Sequence, residues 1–289
     1  NALLAIGYLE AWRVTERPLY RDILEKILGY VLRDMADPSG GFYCAEDADS
    51  DGVEGRYYTW TKEELLKLLG DEIGSLIADY YAVEEEGNFE GRAVLHTPIL
   101  SAEFAVMHTL DDEDWGRILE PAKRKIFEAR QSRNRPFRDT KILTCWNGLM
   151  IRALAEAGHF LPEGAYLEAA DRCARFIKDT MWVKGRLYRR YADGEVGHTA
   201  SLDDYTNLIS GLISLFEATG NVEWFTWTLD LVHCLERDFK EISGAFYQAG
   251  NESSHLVIKK TQFSDGAEPS GNAVHAENLL RLYQITGDP

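Results

Sequence analysis

The chain has 289 residues, with 31 Lys and Arg against 48 Asp and Glu, a formal charge of −17. So acidic a chain lacks the basic surface that displaces counterions from nucleic acid, and no apolar run reaches the roughly 20 residues of a membrane-spanning helix. Nucleic-acid binders and membrane spanners are therefore excluded, and 45% apolar residues are enough for a sizeable globular core.

The first segment, NALLAIGYLEAW, is apolar helical text with no initiator Met and no signal peptide. It reads as the start of a piece of a longer protein. Three segments end alike, AWRVTERPLY, LFEATGNVEW and LYQITGDP, each with an aromatic three residues before a Thr: Trp12/Thr15, Phe216/Thr219, Tyr283/Thr286. The last two continue Gly-Asn and Gly-Asp, a helix stop followed by a turn. A second motif recurs as GGFY, GRLY and GAFY, at Gly41, Gly185 and Gly244. Thr15 to Gly41 is 26 residues and Thr219 to Gly244 is 25, the length of one helix and its exit. The repeating unit is helix, tight turn, helix, long loop, and such repetition describes a stacked or closed helical array.

After GGFY comes the acidic run Glu46-Asp47-Ala48-Asp49-Ser50-Asp51-Gly52-Val53-Glu54-Gly55. Three readings stay open: a calcium loop, a solvated acidic turn, or acids at a substrate site. Asp47, Asp49, Asp51 and Gly52 match the first half of an EF-hand loop, but Tyr58 stands where a bidentate Glu is required. Gly41 to Ala45 and Arg56 to Trp60 are expected to pair as a short β-hairpin. TKEELLKLLG predicts a helix capped by Thr61 with Glu64 completing the box, and residues 115–133 predict an amphipathic helix.

The remaining helices are of two kinds. Ile142 to Ile151 and Tyr205 to Phe216 carry no charge and predict inner helices, buried on most sides. Tyr166 to Lys178 is charged on one face only and predicts an outer helix. Alternating inner and outer helices give an all-α, α/α toroid over residues 1–289, read as one domain truncated at both ends. The long outer-to-inner loops then share one rim with the inner-helix N-termini. That rim is expected to gather Trp146 and Asn147, Asp203, Asp204 and Tyr205, and Ser270 and Asn272. Ser201 with Asp204 also reads as a capping box, which accounts for Asp204 better than for Asp203. Trp60 and Trp146 suit stacking on a sugar face, His96 lies in a loop (VLHTP), and Asp139 with Lys141 precedes the inner helix.

The four cysteines, Cys44, Cys145, Cys173 and Cys234, form no C-x-x-C, so neither a zinc ribbon nor a dithiol redox site is written here. They read as free thiols of a reducing compartment, which suggests the cytoplasm. No G-x-S-x-G, P-loop, G-x-G-x-x-G or H-E-x-x-H occurs, and neither a metal nor a cofactor is expected. Asn251-Glu252-Ser253 is a glycosylation sequon.

GGFYCAEDADSDGVEGRYYTW, LHTP, RDTKILTCWNGLMIRALAEAG, SLDDYTNLISGLISLFEATG and AEPSGNAV follow in this order. Together they resemble the family of thioredoxin-domain-containing proteins that includes bacterial YyaL and mammalian spermatogenesis-associated protein 20. The resemblance implies a thioredoxin-like domain in cis, absent from this chain, followed by an (α/α)6 toroid of the six-hairpin glycosidase kind. Carried over by motif, it points to Glu46, Asp47, Asp49, Glu54, His96, Asp139, Lys141, Trp146, Asn147, Asp203, Asp204, Tyr205, Ser270 and Asn272. The expected function is a carbohydrate-active enzyme, glycosidase-like or sugar epimerase- or isomerase-like, with a sugar-like small molecule in the toroid mouth. Glu46, Asp47, Asp49 and Asp203 are the expected acid/base residues. Trp60, His96, Asp139, Lys141, Trp146, Asn147, Asp204, Tyr205, Ser270 and Asn272 are the expected substrate contacts. The alternative is a non-catalytic binding or scaffold module beside the thioredoxin-like domain.

Overall fold

A computed structural model describes residues 1–162, 165–251 and 258–288. Glu252 and Ser253 of the sequon lie outside the described residues. In chain order the elements begin with α1 (Ala2–Thr15), α2 (Pro18–Tyr30, continued by a π-helical turn over Val31–Met35) and β1 (Tyr43–Glu46). Then come β2 (Asp49–Ser50), β3 (Val53–Glu54), α3 (Lys62–Leu69), α4 (Asp71–Tyr80), α5 (Ser101–Met107) and α6 (Asp112–Gln131). They are followed by β4 (Arg138–Leu143), α7 (Thr144–Phe160), α8 (Tyr166–Phe176, with a π-helical turn over Ile177–Met181), β5 (Trp182–Val183), β6 (Arg186–Ala192) and β7 (Glu195–Thr199). The chain ends with α9 (Leu202–Thr219), α10 (Val222–Asp238) and α11 (Gly271–Thr286).

These elements gather into two compact units, Asn1–Ala45 with Thr140–Pro289, and Glu46–Asp139. Reading 1–289 as one domain does not anticipate this division. The hydrophobic rhythm along the chain reports burial, not which core a segment joins.

In the first unit α7 packs on α1 and α9, and α9 on α11, while α2, α8 and α10 pack on α1, α7 and α9. The inner row is therefore α1, α7, α9 and α11. The uncharged text predicted this: α9 buries every residue from Asp204 to Leu215. Two glycines bring α7 and α9 into backbone contact. A Cβ on Gly148 would lie 2.5 Å from the Asn207 carbonyl carbon, and one on Gly211 would lie 2.5 Å from the Gly148 oxygen. The repeated Thr closes three of the inner helices, α1, α9 and α11, in the same way. Thr15, Thr219 and Thr286 donate their hydroxyls to the carbonyls of Ala11, Leu215 and Leu282, four residues back. The next residue is left-handed in each case, Gly220 (φ 69°), Gly287 (φ 72°) and the non-glycine Glu16 (φ 55°). The last is a conformation that favours glycine.

The outer-to-inner loops also repeat. Asn147 of α7 accepts the Phe42 N–H (2.7 Å) and donates to the Phe42 carbonyl (3.0 Å). Asn272 of α11 does the same to Phe246, at 2.9 Å each way. These two inner helices, α7 and α11, thus clasp the aromatics of the GGFY and GAFY loops. Strands β4, β6 and β7 lie in antiparallel succession in this unit, with Ile142 opposite Tyr191 and Tyr188 opposite Thr199.

The second unit has its own core, from Trp60 and Leu65 to Trp115 and Ile126. Tyr80, Phe104 and Trp115 meet with ring centroids 5.0–5.1 Å apart. The Thr61–Glu64 capping box forms as predicted. The expected pairing of 41–45 with 56–60 does not. The hairpin is instead β2 with β3, Asp49 opposite Glu54, inside the acidic run itself. Asp51 (φ 55°) and Gly52 (φ 72°) are both left-handed, as a two-residue Asp-Gly turn of this hand requires. Residue 60 pairs with Ala93.

Candidate active site

The inner helix α7 begins the site. Thr144 is anchored by its hydroxyl to the Tyr188 carbonyl (2.6 Å). The Cys145 N–H, an orphan donor of the first helical turn, is taken by Asp204 Oδ1 at 3.1 Å. The Cys145 thiol donates to Glu268 Oε2 at 3.0 Å, and the Trp146 indole N–H donates to Glu268 Oε1. Consecutive residues of one helix turn therefore hold both oxygens of one carboxylate. Trp146 is 42% exposed although it belongs to a mostly buried helix.

Trp146 and Glu268 lie on the wall of a cavity of about 400 Å3, with Phe42, Tyr43, Cys44, Leu149 and Met150 also lining it. An aromatic face beside an acceptor carboxylate is the equipment for stacking on a sugar ring and bonding its hydroxyls. Burial, and then the charges of Asp204 and Glu268, push the Cys145 thiol well above its ordinary pKa. It is a neutral hydrogen-bond donor, which disposes of a thiolate nucleophile at this helix start.

The other expected residues of this unit serve mainly to hold it together. Asp204 is fully buried and forms the capping box with Ser201, its Oδ2 accepting both the Ser201 N–H and hydroxyl at 2.8 Å. Burial raises its pKa against the opposing pull of Arg189 and these hydrogen bonds. Its expected substrate contact is corrected: both oxygens are engaged and none of the group is exposed. Asn147 is likewise buried and spent on Phe42 and the Leu143 carbonyl. Tyr205 is buried, and its hydroxyl accepts the Leu187 N–H at 3.3 Å. Ser270 caps α11 through the Ala273 N–H, and Asn272 clasps Phe246. Asp203 is half-buried. Its Oδ2 accepts from Gln248 Nε2 at 2.9 Å, while Oδ1 is buried without a partner among the described residues. Lys141 is half-buried on β4.

In the second unit Glu46 accepts the Tyr58 hydroxyl at 2.8 Å. Burial and that bond push the Tyr58 pKa up to about 12. Asp47 and Asp49 are exposed around the hairpin, and the Asp47 N–H donates to the Phe137 carbonyl at 2.7 Å. His96 is exposed beside Asn88 (3.2 Å), and Asp139 is half-buried on β4. Trp60, expected as a stacking wall, is 4% exposed and covered by the Arg133 guanidinium 3.9 Å from its ring centre; it is a core residue. Among the described residues no group of three or more His, Cys, Asp or Glu side chains is placed to hold a metal ion.

Sequence reasoning missed Glu268 and Gln248. Glu268 sits two residues before the cap of α11, inside the AEPSG motif that also holds Ser270. The available signal was an acid adjoining the rim of an inner helix.

No family model matches the chain. Human spermatogenesis-associated protein 20 is 33% identical over 324 aligned residues, covering 99% of this chain and 41% of that protein. This chain is a relative of the spermatogenesis-associated protein 20 family. The mouse protein is 32% identical over the same shares, and the uncharacterized protein B0495.5 of Caenorhabditis elegans is 32% identical over 98% of this chain and 43% of its own length. The chain thus spans about two-fifths of the curated relatives it matches. Among solved structures, the glycoside hydrolase family 76 mannosidase Bt3792 of Bacteroides thetaiotaomicron matches over 100% of this chain and 54% of its own, with a TM-score of 0.51 at 10% identity. That similarity shows the fold, an α/α toroid of the six-hairpin glycosidase kind. Among the described residues no helix is long and apolar enough to cross a membrane.

Proposed function

We propose that this chain carries the sugar site of a carbohydrate-active enzyme. The observation that carries the reading is Glu268, held by Trp146 and Cys145 on the wall of a cavity of about 400 Å3. A sugar ring stacks on the Trp146 indole, and Glu268 accepts a sugar hydroxyl proton or bonds the developing charge at the reacting carbon. Glycoside hydrolysis needs a second carboxyl, about 5–5.5 Å away for retention or about 6.5–9.5 Å for inversion. Asp203, in the same compact unit as Glu268, is the proposed source. Epimerisation or isomerisation is the variant in which one base suffices for each proton step, with Lys141 of the same unit as the partner. The structural relative is by name a mannosidase, which makes mannose and mannobiose the first ligands to try. A thioredoxin-like domain in cis and a cytoplasmic setting complete the proposal.

The test is thermal unfolding of the full-length protein with mono- and disaccharides, followed by turnover of any sugar that shifts it. A ligand at 100 times its dissociation constant adds about 2.7 kcal/mol. A shift that Glu268→Gln abolishes is expected. A shift that survives this change removes Glu268 from the site.

A second reading, a non-catalytic binding module, is favoured by one observation: Asp204 and the acidic run serve as a helix cap and a hairpin. Under it the sugar shift persists but no turnover follows.

A further inference from the structure

The second unit holds a cleft of about 270 Å3 that the sugar reading does not use. Its wall carries Arg56, Arg92 and Arg133 against two carboxylates, Asp51 and Glu64, on a chain whose net charge is −17. The three arginines are far apart in sequence, and folding brings them together.

Their hydrogen bonds show which donors are spent. Arg133 is fixed: its Nη1 reaches the carbonyls of Arg56, Tyr57 and Thr59 at 2.7–3.2 Å. Arg92 uses Nε and Nη2 on Thr59, at 2.9 Å each. One oxygen of Glu64 serves both guanidiniums, at 2.7 Å from Arg92 and 3.2 Å from Arg133, and also accepts the Thr61 N–H of the helix cap. A single carboxylate shared by two guanidiniums leaves one positive charge uncompensated. Burial, and with it the neighbouring Arg92 and Arg56 charges, lowers the Arg133 pKa against the pull of Glu64.

Arg56 differs from the other two. Its side chain is 54% exposed and approaches only Asp51, at 3.9 Å, beyond hydrogen-bond distance. Asp51 is itself drawn to Asn134 at 2.8 Å. The Arg56 donors and Arg92 Nη1 have no hydrogen-bond partner among the described residues.

We propose that this cleft binds a tetrahedral oxyanion of the phosphate-monoester class, seated between Arg56 and Arg92 with Arg133 as its fixed backing charge. Guanidiniums are the side chains suited to such recognition, because their planar donor fork matches two oxygens at once. The site is independent of the sugar reading. Asp51 competes with the anion for Arg56.

The test uses inorganic phosphate on the full-length protein, read as thermal unfolding at matched ionic strength against potassium chloride. Phosphate is expected to raise the melting temperature in a saturable way that chloride does not reproduce. Arg56→Ala is expected to weaken apparent affinity about tenfold or more, since it removes a charge-assisted bidentate contact. The fold keeps the Arg56 carbonyl that Arg133 uses, so this variant remains a fair reporter. Asp51→Asn is expected to tighten binding about threefold, and Asn-Gly suits the same hairpin turn. Equal effects of phosphate and chloride, or an undiminished phosphate shift in Arg56→Ala, overturn the proposal.

Discussion

Two carboxylates reach the same cysteine and differ in what they are left free to do. Asp204, in the first turn of α9, takes the Cys145 backbone N–H at 3.1 Å and is fully buried. Glu268, in the loop before α11, takes the Cys145 thiol at 3.0 Å and lines a cavity. Asp204 spends its second oxygen on the Ser201 cap, whereas both Glu268 bonds come from side chains on one helix turn. An acid in a helix cap is committed to stability. An acid held by side chains at a cavity wall keeps a face for a ligand.

The sharpest way to break this comparison is to truncate both. Asp204→Ala removes the cap and orphans the buried Cys145 N–H and the half-buried Ser201 N–H, at a cost of about 3 kcal/mol or more. Denaturant unfolding measures it, and a loss under about 1 kcal/mol would make Asp204 no more structural than Glu268. Glu268→Gln keeps an acceptor oxygen for the Trp146 indole N–H and turns its NH2 toward the Cys145 sulfur, which can accept weakly, so it is expected to hold stability within about 1 kcal/mol. Sugar-dependent turnover should fall about 100-fold or more, as for loss of a general acid or base. A fall in stability with unchanged turnover would exchange the two roles.

The pH dependence separates the pair further. Burial raises the folded-state pKa of Asp204, so the unfolded chain gives up this proton first as pH rises. Stability from this group is therefore greatest at acid pH and falls as pH climbs from the unfolded value, about 3.9, through the raised folded value. The wild-type protein should gain on Asp204→Asn as pH is lowered from 7 to 4, measured as a difference in unfolding free energy. A difference that is flat or narrows on acidification would contradict the assignment. The smallest effect belongs to Cys145→Ser, which keeps a donor toward Glu268. Its turnover should stay within a few-fold of wild type, while Cys145→Ala should lower turnover more than it lowers stability.

The sequence made part of this legible. The inner helices announced themselves by lacking charge, as in Tyr205 to Phe216, because a helix buried on most sides tolerates none. The Thr61–Glu64 and Ser201–Asp204 boxes were readable because a cap is a local bond at fixed spacing. The closing Thr of α1, α9 and α11 was visible for the same reason. The compact unit 46–139 was not, since joining a separate core is a long-range event. The acidic run shows the limit of counting acids: Asp51-Gly52 is a hairpin turn, and the turn chemistry of those two residues carried more information than the charges around them. Asn147 and Asn272 read as rim residues, but their backbone clasps on Phe42 and Phe246 join residues 105 and 26 positions apart. Glu268 has no spacing signature at all; only the fold sets it against Trp146.

The most direct test of the central claim compares wild type with Glu268→Gln in the full-length protein, using mannose and mannobiose, with melting temperature and turnover read from the same preparations. The account predicts an unchanged melting temperature without sugar, loss of the sugar-induced shift and loss of turnover in the variant. A variant that keeps its sugar shift and its turnover, or one that simply unfolds, would contradict it.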